Sequence, residues 1–142
     1  MLASRGAGEP VSPRVLDFGL AKMTGPLSEN EATLVQSGQS IGIVGTLMYI
    51  APEVLGGQAA DARSDQYSLA LITYELLTGT HPFGNAADLA SIVRNHTQEP
   101  PPPIRERATH VPPRTADAIH RALSKVAHER FGSVAEFVAE MG

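Results

Sequence analysis

The stretch from Tyr67 to Leu77 is the most apolar run of the chain, and its apolar residues fall on every side of a helix. We predict a helix from about Asp65 to Thr78, capped by Ser64 and ended by Gly79. A helix that is apolar all round belongs at the centre of a core. The run is 11 residues long and contains Glu75, whereas a membrane-spanning helix needs about 20 apolar residues. The chain is therefore expected to fold around a buried helix, with no membrane segment.

Composition supports one domain and excludes several classes of partner. The 142 residues are 42% hydrophobic, which is enough for the core of a single domain. With 15 acidic and 11 basic side chains the net charge is −4, so there is no basic footprint for nucleic acid or an anionic membrane. The absence of cysteine excludes disulfides and thiolate metal sites. We expect a cytoplasmic protein without a nucleic-acid partner.

Three shorter helices are expected after the central one. The first begins at a pattern similar to a capping box, Asn85 followed by Asp88. The other two are indicated by apolar residues at the spacing of one helix face. One carries Ala116, Ile119, Leu123 and Val126, and the other, after a capping box of Ser133 and Glu136, carries Val134, Phe137, Val138 and Met141. The chain is thus predicted to be mainly α with little β structure.

Six prolines between Glu99 and Pro113 predict an extended connection. Residues 100–103 contain a P-x-x-P motif, which is also typical of ligands of SH3-type domains, but an ordered connection between helices is the stronger interpretation. At the other end of the chain, residues 1–14 are expected to be a loop, and Val15 and Leu16 end a short strand. Residues 22–42 have no sustained periodicity, and a loop of that length is usually functional or disordered.

Four short motifs follow one another at defined intervals. The first is Asp17-Phe18-Gly19, which alone is a weak signal. The second, Gly45-Thr46-x-x-Tyr49-x-Ala51-Pro52-Glu53, is much more specific. The third is Asp65 at the start of the apolar helix, and the fourth is Glu129-Arg130-Phe131. Their order and spacing argue against coincidence.

In these motifs, residues 15–142 resemble the C-terminal lobe of a serine/threonine protein kinase, most of all the bacterial kinases that are similar to eukaryotic ones. The resemblance implies that residues 1–142 are a partial protein kinase domain, a transferase lobe without its N-terminal lobe. Residues 17–53 then correspond to the activation segment, with the activation loop at 20–44, and residues 64–142 to the helical C-lobe.

The resemblance also implies roles for single residues. Asp17 is expected to be a catalytic residue that holds Mg²⁺ between the phosphates of ATP, since a carboxylate is a hard oxygen ligand. Phe18 and Gly19 complete the cofactor-binding motif. Thr46 is expected beside the hydroxyl group of the substrate. A platform for the substrate peptide is implied at Gly45, Thr46, Tyr49, Ala51, Pro52 and Glu53.

Two structural roles and three modification sites are implied in the same way. Glu53 and Arg130 match a buried ion pair, and Asp65 matches the aspartate that bonds the backbone of the catalytic loop. The candidate phosphorylation sites in the activation loop are, in order of preference, Ser40, Ser37 and Thr33.

Each of these residues has a simpler alternative. Asp17 would be a turn residue if its motif stood alone, and Asp65 would favour the helix dipole, a role compatible with the first. Glu53 and Arg130 would be solvated charges, as most such residues are. Phe18 and Tyr49 would be ordinary core aromatics, and the five histidines lack the spacing of a metal site.

Several kinase motifs do not occur in these 142 residues: a G-x-G-x-x-G loop, a strand lysine and a His-Arg-Asp segment. These elements supply the nucleotide pocket and the general base. We therefore expect ATP and Mg²⁺ to serve the complete kinase, with neither binding this chain tightly and no phosphotransfer by this chain alone. Met1 is then expected to be an internal methionine of a longer kinase, or the lobe pairs with an N-lobe polypeptide encoded upstream.

Two other interpretations stay open from the sequence. One is a non-catalytic interaction module that binds protein partners through residues 45–53 and the helix at 85–96. The other is an unrelated helical domain that carries the motifs by chance. Protein substrates are the partners implied by the first interpretation.

Overall fold

A computed structural model describes residues 45–86 and 88–142 of the chain. The strand end at Val15 and Leu16, the Asp17-Phe18-Gly19 motif, and the phosphorylation candidates Ser40, Ser37 and Thr33 lie outside the described residues. After one helical turn at 45–47 come seven helical elements. They are α1 (Pro52–Leu55), α2 (Ala62–Thr78), α3 (Leu89–Thr97), α4 (Ile104–Arg107), α5 (Pro113–Ala122), a 3₁₀ helix (Ala127–Glu129) and α6 (Val134–Met141).

The described part of the chain contains no strand, which confirms the prediction of a mainly α fold. No helix within 45–86 or 88–142 is long and apolar enough to cross a membrane.

The central helix α2 begins three residues earlier than predicted and is capped by a different residue. The carboxylate of Asp61 accepts hydrogen bonds from the backbone N–H groups of Arg63 (2.9 Å) and Ser64 (3.0 Å). Ser64 in turn accepts a bond from the N–H of Asp61 (3.3 Å), so the two residues form a capping box with Asp61 as the cap. The predicted end is confirmed, because Gly79 adopts a left-handed conformation with φ of 75° after Thr78.

One side of α2 forms the core. Tyr67, Ala70, Leu71 and Tyr74 are completely buried. They share the main hydrophobic cluster with residues from α5 and α6, among them Ile119, Ala122 and Phe137. The expectation that α2 is covered on every side is wrong within the described part of the chain, because Leu76 is 78% exposed. Within the described part of the chain no element covers Leu76, although the sequence places apolar residues on that side of α2 as well.

The connection between α3 and α5 is ordered but not wholly extended as predicted, because it includes α4. Residues 104–107 follow the last proline of the run at 100–103, so a helical turn can form. Ile104 is buried and anchors this turn, and its N–H donates to Nε2 of His120 (3.0 Å). The carbonyl of Pro102 accepts a bond from the hydroxyl of Tyr74 (3.1 Å). These bonds support the ordered connection over the SH3-ligand interpretation.

In α5 the position of the helix end differs from the prediction, and in α6 the set of buried side chains differs. Helix α5 ends at Ala122, and Leu123 is its buried C-cap, so Val126 lies beyond the helix and is 42% exposed. In α6 the hydroxyl of Ser133 accepts from the N–H of Glu136 as predicted, but the Glu136 carboxylate accepts from Gly132. Only Phe137 of its apolar residues is buried, and Val138 is 49% exposed.

Helix α3 begins three residues later than the predicted capping box at Asn85, because Asp88, and not Asn85, is its cap. The carboxylate of Asp88 accepts from the N–H of Ser91 (2.7 Å) and caps the helix. Ile92 is completely buried, whereas Val93 is 38% exposed. Ile92 forms a small cluster with Leu47 and Ile50, and Leu89 at the start of α3 packs against it.

Candidate functional site

Residues 45–53 form a segment that we call the docking strip. It begins with the helical turn at 45–47, where the N–H of Ile50 donates to the carbonyl of Leu47 (3.3 Å). Leu47, Ile50 and Ala51 are buried at 1%, 5% and 1% exposure. Gly45 and Thr46 are exposed at its start. The strip is therefore anchored by its buried side chains, while its first residues face solvent.

The end of the strip is fixed by an ion pair between Glu53 and Arg130. Nη1 and Nη2 of Arg130 donate to Oε1 and Oε2 of Glu53 at 2.8 and 2.9 Å, a bidentate geometry. The Arg130 side chain is completely buried and that of Glu53 is 11% exposed. The ion pair expected from the sequence thus forms, and the alternative of two solvated charges is wrong.

Two further N–H groups of Arg130 donate to backbone carbonyls. Nη1 also donates to the carbonyl of Arg63 (2.9 Å), and Nε donates to the carbonyl of Ser124 (2.8 Å). The guanidinium lies over the ring of Tyr67, 4.8 Å from its centroid. Such a buried cation is stabilised because each contact replaces part of the hydration that it lost. Arg130 therefore joins the docking strip, α2 and the segment that follows α5.

The carboxylate of Glu53 is tuned by the same contacts. Burial alone would raise its pKa, but the hydrogen bonds from Arg130 and from the hydroxyl of Ser64 (2.8 Å) hold the pKa of Glu53 below its usual value. Glu53 is therefore ionised at neutral pH, which the bidentate geometry requires.

Tyr49 connects the strip to α2 through both its backbone and its side chain. Its hydroxyl donates to Oε2 of Glu75 (2.6 Å), and its carbonyl accepts from the hydroxyl of Ser68 (2.7 Å). Burial, together with the neighbouring Glu75, raises the pKa of Tyr49 to about 12. Because its hydroxyl has this specific partner, Tyr49 is more than an ordinary core aromatic.

Asp65 is not part of this cluster of contacts. It is exposed in the first turn of α2, where its charge is favourable near the positive end of the helix dipole. Its carboxylate has no hydrogen-bond partner among residues 45–86 and 88–142. The role implied for Asp65 at a catalytic loop therefore stays a prediction.

Sequence reasoning missed Gln66, which is completely buried. Its amide nitrogen donates to the carbonyls of Phe131 (3.3 Å) and Ser133 (3.1 Å), and its amide oxygen accepts from the N–H of Phe131 (3.0 Å). Gln66 thus holds the segment after Arg130 against α2. The available signal was an amide inside an otherwise apolar helical run.

The described residues offer no site for a metal ion. No group of three or more His, Asp or Glu residues within 45–86 and 88–142 is placed to hold one. The candidate ligand Asp17 and its neighbours Phe18 and Gly19 lie outside this part of the chain. The described part therefore does not fit a resident Mg²⁺, and no catalytic step through this ion follows from it.

Comparison with known proteins agrees with the motifs. Residues 2–140 match the family described as the protein kinase domain. The chain is 38% identical over 134 residues to the serine/threonine-protein kinase pkn3 of Myxococcus xanthus, covering 94% of the chain and 24% of that relative. It is 36% identical over 137 residues to PknJ of Mycobacterium tuberculosis, covering 96% of the chain and 22% of that kinase.

These findings show the family. The chain belongs to the protein kinase family, which confirms the resemblance drawn from its motifs, and its relatives are bacterial serine/threonine-protein kinases. Its helical, strand-free described part is consistent with the C-lobe of such a kinase. The chain spans about a quarter of the length of the curated relatives that it matches.

Proposed function

We propose that this chain supplies the peptide-binding lobe of a serine/threonine protein kinase. The observation that carries this proposal is the bidentate ion pair of Glu53 and Arg130, which fixes one end of the docking strip to the helical core. A substrate peptide can be held in one position only if the surface that it contacts is itself rigid. The strip has such support at Leu47, Ile50 and Glu53.

In this proposal the exposed start of the strip faces the substrate. Thr46 lies beside the hydroxyl group that receives the phosphate, and the strip from Gly45 to Glu53 is the platform for the peptide around it. Asp17, with Phe18 and Gly19, belongs to the nucleotide side of the reaction and acts with ATP and Mg²⁺ in the complete kinase. Phosphorylation of Ser40, Ser37 or Thr33 would regulate the activation loop in which these residues lie.

We further propose that this 142-residue polypeptide does not transfer phosphate by itself. Orientation of the reactants contributes roughly 7–11 kcal/mol to such catalysis, and a general base contributes about 10²–10⁴-fold. The motifs that supply both do not occur in its sequence. An N-lobe, in the same polypeptide or in an upstream one that pairs with it, would complete the enzyme.

A second candidate function is a non-catalytic module that binds protein partners. It is favoured by the exposed Gly45 and Thr46 on one side of the strip and the partly exposed Val93 on α3. The two functions differ in what happens when the missing parts are added, because only a kinase lobe gains phosphotransfer.

A chimera separates these functions. Residues 2–140 of this chain replace the matching region of the Myxococcus pkn3 kinase, and transfer of radiolabelled phosphate from ATP to a mixture of proteins is measured with Mg²⁺. We expect activity in the chimera, loss of activity with Asp17→Ala, and none in the isolated chain. A folded chimera without activity would contradict the kinase-lobe assignment. Transfer by the isolated chain that Asp17→Ala abolishes would contradict its proposed inactivity.

A further inference from the structure

Two buried histidines belong to a cluster next to the docking strip, and the proposed function gives this cluster no role. We define the histidine cluster as His81, His96, Tyr67, Phe83 and Lys125. His81 is 6% exposed and His96 is 1% exposed, and their ring centroids are 6.3 Å apart. The ring of Phe83 lies 5.3 Å from that of His96. Within the described part of the chain the two histidines belong to no group of three side chains that could hold a metal ion, so metal binding there does not explain their burial.

The contacts of His81 fix its protonation state. Its Nε2 lies 3.0 Å from the carbonyl oxygen of Met48 in the docking strip. A carbonyl only accepts, so Nε2 carries the hydrogen and donates it. The N–H of Phe83 donates to Nδ1 (3.3 Å), which must therefore be unprotonated. His81 is a neutral imidazole with both nitrogens in use, and its ring stands edge-on to that of Tyr49 at 5.4 Å.

His96 is held by a second set of contacts, with Tyr67 and its neighbour Lys125. Nζ of Lys125 donates to the hydroxyl oxygen of Tyr67 (3.3 Å), and this hydroxyl shares a hydrogen bond with Nδ1 of His96 (3.1 Å). Lys125 also donates to the carbonyl of Asn95 (2.9 Å) in the last turn of α3. Helix ends leave such carbonyls unpaired, and a cation is favourable there. The cluster thus connects α2, α3 and the segment after α5.

The charges around the two imidazoles agree with this neutral arrangement. Burial lowers the pKa of His81, although Glu75 opposes the shift, and burial with the positive charge of Lys125 lowers the pKa of His96 to about 3. The positive charge of Arg130 lies over the ring of Tyr67. Neutral His81 can therefore serve as a permanent donor to the strip at physiological pH.

We propose that His81 is a positioning residue that sets the conformation of the docking strip through the carbonyl of Met48. The bond from His81 holds the middle of the strip, between the buried Leu47 and the side chain of Tyr49, while the ion pair of Glu53 holds its end. The ring of His96 in α3 lies 6.3 Å from that of His81, so α3 is packed against the same side chain that bonds the strip. What the strip docks rests on the proposed function, but its conformation does not.

Two variants of the 142-residue chain separate donation from packing. His81→Phe keeps a ring against Tyr49, Phe83 and His96 but has no N–H. His81→Gln has a side-chain amide that can donate from about the position of Nε2. Hydrogen exchange followed by mass spectrometry reports on residues 46–51, where the N–H groups of Tyr49 and Ile50 are bonded within the strip. The exposed His128→Gln serves as the matched control.

We expect exchange in residues 46–51 of His81→Phe to be about 2- to 10-fold faster, the range that loss of one hydrogen bond gives. Exchange in α5 and α6 should change little, and His81→Gln should restore protection. Unchanged protection of the strip in His81→Phe would overturn the proposal, and so would a uniform loss throughout the chain. The pkn3 chimera tests the proposed function separately, because its failure would leave the exchange result standing.

Discussion

Arg130 and Glu53 are 77 positions apart in the chain, yet their side chains meet in two parallel hydrogen bonds of 2.8 and 2.9 Å. The guanidinium is buried and also bonds the carbonyls of Arg63 and Ser124. Two exposed charges at similar distances would contribute little. Here the buried pair links the docking strip to the segment that leads to α6.

Removing Glu53 should therefore destabilise the protein strongly. Glu53→Ala leaves the buried guanidinium of Arg130 without its counter-charge, and loss of one partner of a buried pair costs about 3–5 kcal/mol. Urea unfolding followed by circular dichroism measures this free energy. The control is Glu140→Ala, which removes an exposed pair with Arg114 at 3.4 Å and should cost less than about 1 kcal/mol. If the two variants lost the same free energy of unfolding, the buried pair of Glu53 would contribute no more to stability than the exposed pair of Glu140.

Gln66 tests whether the segment after Arg130 depends on a buried amide. Gln66→Met has a similar volume but leaves the N–H of Phe131 unpaired, and an unsatisfied buried donor costs about 1–3 kcal/mol. Gln58→Met changes an exposed side chain of the same type and should cost less than about 0.5 kcal/mol. The same urea experiment compares the two. A Gln66→Met protein as stable as the control would contradict the role assigned to Gln66.

The sequence sufficed for features that are set locally or by a motif. The end of α2 at Gly79, the cap Ser133, and the pair of Glu53 with Arg130 were predicted, whereas the cap of α3 was expected at Asn85 and is Asp88. Gly79 and Ser133 act on the backbone of the helix beside them, and the ion pair was implied by the resemblance of the motifs to those of kinases.

The missed features depend on how distant segments approach one another. Gln66 bonds a segment 65 positions away, and His81 bonds Met48 from 33 positions away, so periodicity carries no trace of either contact. Val126 continues a helical spacing beyond the residue where the helix ends. Leu76 shows the same limit, because an apolar residue on a helix does not reveal whether anything covers it.

The start of α2 is a case where two neighbouring residues could each serve as the cap. Asp61 and Ser64 are both favoured at N-cap positions, and only the backbone shows that Asp61 has that role. We expect Asp61→Ala to cost about 1 kcal/mol, the usual value for a lost cap. Asp65→Asn should cost only a few tenths of a kcal/mol, because Asp65 lies near the helix dipole and its carboxylate has no hydrogen-bond partner among residues 45–86 and 88–142. Thermal unfolding of both variants tests the assignment, and a larger loss for Asp65→Asn would reverse it.

Acidification should lower the free energy of unfolding at pH values well above those at which the carboxylates of the protein titrate. Burial holds the pKa values of His81, His96 and His120 below their usual 6.5, and that of His96 at about 3. As the pH falls through 6.5, the unfolded chain takes up protons that these native imidazoles do not, so the free energy of unfolding decreases. For His96 alone the loss between pH 7.5 and pH 5.5 is about 1.4 kcal/mol. Glu53 adds a further loss only below pH 4.5, where its carboxylate is protonated in the unfolded chain.

Urea titrations at pH 7.5, 6.5 and 5.5 measure this dependence on the wild-type chain. His96→Gln removes the group with the largest shift, so its unfolding free energy should change less over that range, even if it is lower at every pH. His128→Gln, at an exposed position, should keep the wild-type dependence. A wild-type free energy that is constant from pH 7.5 to 5.5 would mean that the buried imidazoles accept protons as readily in the native state as in the unfolded one. That result would contradict the neutral state assigned to His81 and His96.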